Sequence, residues 1–187
     1  MPIRLLALAV VVAIAGCGSS PRAANPNAPE NSPPGDIPDN QAYVSFHPTG
    51  AAYSFKVPEG WSQTSQGGTV RFTDKLNSIA VASRPAKGAI SVGAVRTSDL
   101  PQLARSVKGY KPGSISIVSR TAGKAVRVTY LASAPADPVT GKVTTDAVER
   151  YVFSHGGREV VMTLSGPKGA DNVDPWKLVT DSLRWTR

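Results

Sequence analysis

Few side chains in this sequence have the chemistry that catalysis or metal binding needs. The 187 residues include one cysteine, Cys17, and two histidines, His47 and His155, which stand far apart in the chain. A single cysteine excludes an internal disulfide framework and a multi-cysteine metal site, and two distant histidines offer little to a metal ion. The sequence therefore predicts neither a metal nor a cofactor.

The most enzyme-like string is Ser154-His155-Gly156-Gly157. It resembles the His-Gly-Gly oxyanion loop of some esterases, but the chain has no Gly-x-Ser-x-Gly turn to supply a nucleophile. A hairpin turn between two strands accounts for the string. We also expect His47, beside Pro48, to lie in an exposed loop.

Three carboxylates form the other candidate for catalysis: Asp137, Asp146 and Glu149, in or beside a loop rich in Pro and Gly. Paired carboxylates serve glycoside hydrolysis or bind calcium. Their spacing is not that of a ligand set, and solvated hairpin charges are the simpler interpretation. An envelope hydrolase that uses these residues stays open as an alternative, provided that two of them converge in a pocket.

The N-terminus has the pattern of a secretory signal. Arg4 precedes the uninterrupted apolar run from Leu5 to Ala15, and Cys17 follows that run after a single glycine. As a helix, these 11 residues span about 16 Å, against about 30 Å for a hydrocarbon core. The run is therefore too short to be a permanent membrane anchor.

The residues Ile14-Ala15-Gly16-Cys17 resemble the lipobox of bacterial lipoproteins, with Ile14 in place of the commoner Leu. The resemblance implies that residues 1–16 are a signal peptide and that Cys17 carries diacylglycerol, often with an acylated amino group. Two or three acyl chains give stable attachment to a membrane. In the alternative interpretation, Cys17 has no role at an ordinary cleavage site. We expect the protein on the extracytoplasmic face of the cell membrane.

Residues 17–41 combine the candidate lipidated cysteine with a segment rich in Pro, Asn, Ser and Gly that has no hydrophobic periodicity. Such a composition cannot bury a core, and we predict a disordered tether that lifts a domain off the lipid surface. A motif for a partner within this segment is the alternative. Residues 42–187 then form the domain.

The predicted domain is basic, since it holds 19 of the 21 Lys and Arg but only 10 of the 13 Asp and Glu, a net charge of about +9. Outside a membrane this charge favours anionic lipid headgroups or acidic envelope polymers. The basic residues are not interleaved with aromatic ones, so we expect no nucleic acid. The alternative is that the charge only maintains solubility. The candidate ligand contacts are Lys108, Lys111, Lys124 and Trp61.

The three tryptophans have two interpretations. Trp61, Trp176 and Trp185 can line a ligand groove, because an amphipathic ring stacks on a sugar face or lies at a lipid interface. They can equally anchor a core between sheet and helix, which we favour. Trp61 directly follows a turn and is the least secure of the three as a core residue.

Period-two segments separated by turns predict an antiparallel sheet, with Ile90-Ser91-Val92 as one short strand. Helical spacing predicts a helix from Leu100 to Val107, capped by Ser98-Asp99 and ended by Gly109.

A second helix is predicted near the C-terminus, with Asp174 as its N-cap and Val173 and Leu178 as a hydrophobic staple. Its buried face is Trp176, Val179 and Leu183. The fold class is α+β, an antiparallel sheet flanked by helices.

The strand from Tyr53 to Val57 that runs into Pro58-Glu59-Gly60-Trp61, together with the closing segment from Trp176 to Trp185, resembles PsbP-like (Mog-type) domains. Similar domains occur in actinobacterial lipoproteins of the LpqN type. The resemblance covers about residues 43–187. It implies an α/β/α sandwich with binding or accessory roles and without catalysis.

The leading hypothesis is a membrane-anchored lipoprotein whose domain is a non-catalytic binding or accessory module of the cell envelope. Its partner would be an envelope protein complex or an anionic or lipidic ligand. A carrier of lipids or small hydrophobic molecules is the first alternative, and it predicts a continuous apolar cavity between sheet and helix. The hydrolase is the second.

Overall fold

The computed structural model describes residues 33–86 and 88–186. Cys17, the signal peptide and most of the predicted tether lie outside these ranges. Within them the chain forms ten strands and two helices. The strands are β1 (Tyr43–Phe46), β2 (Tyr53–Pro58), β3 (Ser62–Gln66), β4 (Thr69–Asp74), β5 (Asn77–Pro85), β6 (Lys111–Arg120), β7 (Gly123–Ser133), β8 (Thr145–His155), β9 (Arg158–Pro167) and β10 (Arg184–Trp185). The helices are α1 (Val92–Ser106) and α2 (Val173–Asp181).

Seven strands form one antiparallel sheet in the order β3-β4-β5-β9-β8-β7-β6, and a smaller sheet has the order β1-β2-β10. Helix α1 packs on one face of the large sheet, while α2 and the small sheet pack on the other face. The α+β fold class predicted from the sequence is confirmed, with sheet flanked by helices on both sides.

Two cores result from the alternation of side chains along the central strands. On β8, Tyr151 and Phe153 point to the core shared with α2, whereas Val148 and Val152 point to the core shared with α1. Because both faces of β8 and β9 are covered, these strands are apolar on both sides.

Helix α1 begins at Val92, eight residues before the predicted start. The strand predicted at Ile90-Ser91-Val92 is wrong, because this segment leads into the helix. Ser91 is the N-cap, and its Oγ accepts a hydrogen bond of 3.0 Å from the N–H of Ala94. The first two turns bury only Val95 and Asp99, so they carry little apolar periodicity. Asp99 is therefore not a cap but a buried residue inside the helix.

Helix α2 is present as predicted, but its N-cap is Asn172 rather than Asp174. Trp176, Val179 and Leu183 are buried as expected. The predicted staple is wrong, because Val173 and Leu178 are exposed side chains. Asn172 makes no capping hydrogen bond with its side chain, since that amide is used elsewhere.

The segment before β1 packs on the domain, although the composition assigned it to the tether. Ile37 is 4% exposed and belongs to the core beneath α2. The Asn172 amide accepts from the N–H of Ile37 (2.8 Å) and donates to the carbonyl of Gly35 (2.9 Å). Asn77 donates to the same carbonyl at 2.9 Å. The packed part of the chain therefore extends back to Gly35, and we call residues 33–41 the strap.

Candidate functional site

A groove runs beside helix α1 because one face of β5 carries small residues. Ile79 and Val81 fill the core beneath α2, and the alternate residues Ala80 and Ala82 face the α1 side. The alanines leave a cavity of about 360 Å³, which we call the α1 groove. Its lining is completed by Thr69, Arg71, Ser83, Arg84, Leu103, Val107, Tyr130, Arg150, Val161 and Thr163.

One wall of the α1 groove is an ion-pair cluster built around a buried carboxylate. Asp99, 2% exposed, accepts hydrogen bonds from Arg84 Nη2 (2.9 Å) and Arg150 Nη2 (3.3 Å). Arg84 Nε donates in addition to Glu159 at 2.6 Å. Residues from α1, β5, β8 and β9 thus meet at one point, which fixes the helix on the sheet.

Within the cluster, hydrogen bonds and opposite charges favour the charged forms of Asp99 and Arg84. Burial alone would raise the pKa of Asp99, but hydrogen bonds from Ser98 and Arg84 and the charges of the two arginines outweigh burial and lower it. Burial likewise opposes the charge of Arg84, and its bonds to Glu159 and Asp99 overcome that effect and raise its pKa. Asp99 and Arg84 therefore both stay charged at neutral pH.

Several donors in the groove are not used by the cluster. The Nε–H of Arg150 is buried and has no hydrogen-bond partner in the described part of the chain. Arg71 is exposed at the groove and bonds Ser78 Oγ at 3.1 Å through Nη1. Of these two groups, Arg71 is the one that a ligand in the groove can reach. The groove thus combines an apolar floor with cationic donors.

A second cavity, of about 300 Å³, lies on the other side of Arg84. It is lined by the connection at Gly88–Ile90 and by the first turns of α1, including Thr97 and Gln102. Arg84 lines both cavities, and its side chain separates the α1 groove from this second cavity.

The opposite face of the sheet carries a second polar cluster, beneath α2. Glu149 is paired with Arg127 and accepts a hydrogen bond of 2.6 Å from the hydroxyl of Tyr151. Arg120 joins this hydroxyl (3.1 Å) to Thr180 of α2 (2.9 Å). Burial, followed by the bond to Glu149, raises the pKa of Tyr151 to about 12. The hydrogen bonds of Arg120 thus connect α2 to the sheet.

The lysines predicted as ligand contacts do not form one site. Lys108 and Lys111 are exposed at the end of the sheet where β6 begins. Lys124 pairs with Ser119, eight residues further along β6, which places it about 26 Å away along the strand. Their role in binding stays a prediction.

The tryptophans divide between core and surface. Trp176 belongs to α2 and is buried in the core between that helix and the sheet. Trp185 packs on Tyr53 and donates from Nε1 to the carbonyl of Ala122 at 3.1 Å. Trp61 is half-buried beside the strap and lines a cavity of about 130 Å³ with it. A ligand contact at Trp61 stays a prediction.

The three carboxylates of the hydrolase alternative do not converge. Asp146 and Glu149 stand three residues apart on β8 and therefore point to opposite faces of the sheet. Asp137 lies in the loop after β7, where Oδ1 accepts hydrogen bonds from the N–H groups of Val139 and Thr140. Burial raises the pKa of Asp146, but no second carboxylate of the set shares its surroundings.

The string at His155 is a hairpin turn, as predicted. Gly156 and Gly157 have φ of 55° and 75°, which glycine adopts readily, and they join β8 to β9. The His155 ring stacks on Trp185 with ring centroids 5.3 Å apart. His47 is exposed in the loop after β1.

The described residues offer neither a metal site nor a membrane-spanning helix. Residues 33–86 and 88–186 contain no group of three or more His, Cys, Asp or Glu side chains arranged to hold a metal ion. Neither helix in these ranges has the length and apolar character needed to span a bilayer.

The α1 groove is the feature that the sequence reasoning missed. Its signal was present in β5, where Ile79 and Val81 alternate with Ala80 and Ala82 and an arginine follows on the same face as the alanines. A strand with large residues on one face and small residues on the other leaves room for a groove on the second face.

No protein-family model and no curated protein matches the sequence. The solution structure of cyanobacterial PsbP (CyanoP) from Synechocystis sp. PCC 6803 matches with a TM-score of 0.53 at 14% identity, over 78% of this chain and 93% of that one. LpqN of Mycobacterium tuberculosis, involved in cell envelope biogenesis, has a TM-score of 0.44 at 16% identity, over 80% of this chain and 87% of that one.

A crystal structure from Bacteroides thetaiotaomicron VPI-5482 has a TM-score of 0.51 at 16% identity, over 76% of this chain and 48% of that one. This chain therefore spans about half the length of the Bacteroides protein. At such identities the likeness concerns the fold alone. The domain has the PsbP-like α+β fold that the sequence predicted.

Proposed function

We propose that the protein is a lipid-anchored extracytoplasmic binding module, without catalysis, whose α1 groove takes the head group and first carbons of an anionic amphiphile. The observation that carries this proposal is the set of guanidinium groups beside an apolar, alanine-floored groove. Arg84 and Arg150 are balanced by Asp99 and Glu159, whereas Arg71 lies outside that cluster and gives the groove its positive charge. A carboxylate or phosphate head would accept from Arg71, and its alkyl chain would lie on the alanine floor.

The volume of the α1 groove limits what it can hold. A cavity of about 360 Å³ is at the lower end of the range for small-molecule sites, which starts at about 300 Å³. The sheet–helix interface beside the groove is filled by fully buried side chains such as Val95, Val126 and Val152. These features favour a ligand bound in a surface groove over a lipid enclosed in the core.

Anchoring at Cys17 is tested by its replacement with alanine in the native host. Without the thiol no thioether to diacylglycerol can form, so we expect the Cys17→Ala protein to leave the membrane fraction almost completely. Fractionation followed by immunoblotting gives the measurement. The matched control is Ser19→Ala, two residues further along the chain, which should stay with membranes. Continued sedimentation of Cys17→Ala with membranes would contradict the anchoring.

The bound ligand is best sought by native mass spectrometry of the fragment 31–187, purified from its own envelope. The fragment has to include the strap, because a start at residue 42 would remove Ile37 from the core. A co-purifying anionic amphiphile would support the proposal. A co-purifying protein with an empty groove would instead favour an accessory docking role.

A larger side chain on the floor of the α1 groove is expected to weaken the binding of an anionic amphiphile. The Ala82→Phe side chain would occupy the floor of the α1 groove, and we expect affinity for dodecyl phosphate to fall at least tenfold. Isothermal titration calorimetry below the micellar concentration gives the measurement, with dodecyl maltoside as the uncharged ligand. Val44→Phe, at an exposed position on β1, is the control. Equal affinity of wild type for both detergents would contradict recognition of the head group.

A further inference from the structure

The connection between β7 and β8 presents apolar side chains to solvent on an ordered loop. In residues 134–144, Val139 is 90% exposed and Val143 is 47% exposed. Asp137 Oδ1 braces the loop by accepting from the N–H of Val139 (3.0 Å) and from the N–H and hydroxyl of Thr140 (2.7 and 2.8 Å). A backbone bond of 3.0 Å from Ala134 to Thr144 closes its base. These hydrogen bonds hold the two exposed valines at defined positions on the loop.

Exposed lysines surround this loop. Lys142 belongs to it, and the carbonyl of Lys108 accepts from the N–H of Ser133, at the end of β7, at 2.8 Å. Lys111 of β6 pairs with Leu131 of β7. On the other side, the N–H of Lys168 donates to the carbonyl of Thr145 at 2.9 Å. We call these four lysines and the loop 134–144 the strand-end surface.

Carboxylates near the strand-end surface are partly engaged with the backbone. Asp137 accepts the bonds described above, and Asp36 accepts from the N–H of Asp171 at 2.9 Å. Asp36 is half-buried and Asp146, at the start of β8, is buried. The exposed carboxylates are therefore Asp137 and Asp171, and the four exposed lysines outnumber them. Together with two exposed valines, this chemistry suits the headgroup region of an anionic bilayer.

The chain enters the domain at the same end of the sheet. The carbonyl of Gly35 accepts from Asn77, at the start of β5, and a Cβ on Gly35 would lie 2.5 Å from Pro167, at the end of β9. Cys17 and Pro33 are separated by 16 Cα–Cα steps, which span about 55 Å at most. A lipid on Cys17 would therefore keep the domain within about 55 Å of the bilayer, with its point of attachment at this end of the sheet.

We infer that the strand-end surface docks on the anionic lipid surface to which the protein is anchored, with Val139 entering the headgroup region. The inference rests on the proposed anchoring at Cys17, because anchoring keeps this end close to lipid. Docking would also bring one end of the α1 groove, at Val107 and Tyr130, to the headgroups, since Lys108 directly follows Val107. An amphiphile could then pass between bilayer and groove.

The test uses the fragment 31–187, which forms one compact unit that contains both cores and has no cysteine. Val139→Cys labelled with the fluorophore NBD should gain intensity and shift to shorter wavelength with vesicles of phosphatidylglycerol and phosphatidylcholine in equal parts. The control, Gln66→Cys at the opposite end of the sheet, should not change. An unchanged signal at position 139, or equal signals at both positions, would overturn the inference.

Co-sedimentation with the same vesicles separates the contributions of the side chains. We expect Lys108→Gln and Lys111→Gln each to lower partitioning about fivefold and Val139→Ser to lower it about tenfold. Lys124→Gln should have little effect, because Lys124 lies beyond a Debye length from the surface. A loss with Lys124→Gln as large as with Lys108→Gln would overturn the inference. Since the fragment lacks Cys17, its failure to bind is distinct from a failure of anchoring.

Discussion

Replacing Asp99 with alanine is expected to lower the free energy of unfolding by about 3 kcal/mol. The carboxylate is 2% exposed and holds Arg84 and Arg150 from two different strands. Its removal leaves Arg150 without its only carboxylate partner in the described residues, whereas Arg84 keeps Glu159. The loss should therefore lie at the lower end of the range for a broken buried ion pair. Urea unfolding followed by circular dichroism gives the measurement.

The pH dependence of this effect has a definite sign. Since the folded protein lowers the pKa of Asp99, its charged form contributes stability at every pH above the unfolded pKa of about 3.9. That contribution declines as the pH falls below this value and is lost once the pH passes the lower, folded pKa. Wild type and Asp99→Asn should thus differ most at neutral pH and converge in acid.

Glu59→Ala is the matched control, because Glu59 is an exposed carboxylate on the turn after β2. Its replacement should change the free energy of unfolding by no more than about 0.5 kcal/mol. An Asp99→Ala loss as small as this would mean that the ion-pair cluster does not stabilise the packing of α1. A difference between wild type and Asp99→Asn that grows in acid would contradict the direction of the pKa shift.

The sheet was predictable because its signals are local. Alternation in β8 and β9 and the glycine turn after His155 depend on residues close in sequence, and the structure has these hairpins. Helix α2 was predictable for the same reason, since Trp176, Val179 and Leu183 follow helical spacing. Local patterns determine which elements form.

The ion-pair cluster and the strap were not predictable because they depend on contacts between distant residues. In sequence, Asp99 resembles a helix cap. Burial of its charge would be costly without the two guanidinium groups of Arg84 and Arg150 beside it, and these come from distant strands. Likewise, the composition of residues 33–41 indicates a disordered segment. Asn172, more than 130 residues away, supplies the hydrogen bonds that order it.

The last prediction concerns the close approach of Gly166 to the strap's hydrogen bonds. A Cβ at this position would lie 2.3 Å from Asn77 Oδ1 and 2.9 Å from Asn172 Nδ2. Gly166→Ala should therefore separate the two amides from the strap and leave the carbonyl of Gly35 and the N–H of Ile37 without partners. At about 1–3 kcal/mol for each unsatisfied buried group, we expect a loss of roughly 2–4 kcal/mol in the free energy of unfolding.

Gly93→Ala is the control, because a Cβ there meets nothing closer than 3.8 Å and the position is in the first turn of α1. It should leave stability unchanged or raise it. In Gly166→Ala, limited proteolysis should also cut within residues 33–41 faster than in wild type. A stable Gly166→Ala protein with a protected strap would show that the two amides do not hold this segment.

If the strap is released as expected, nine more residues would separate Cys17 from the domain and add about 30 Å of reach. If the domain is anchored as proposed, the strap would set how far it can move from the membrane, and its release would weaken the docking proposed for the strand-end surface.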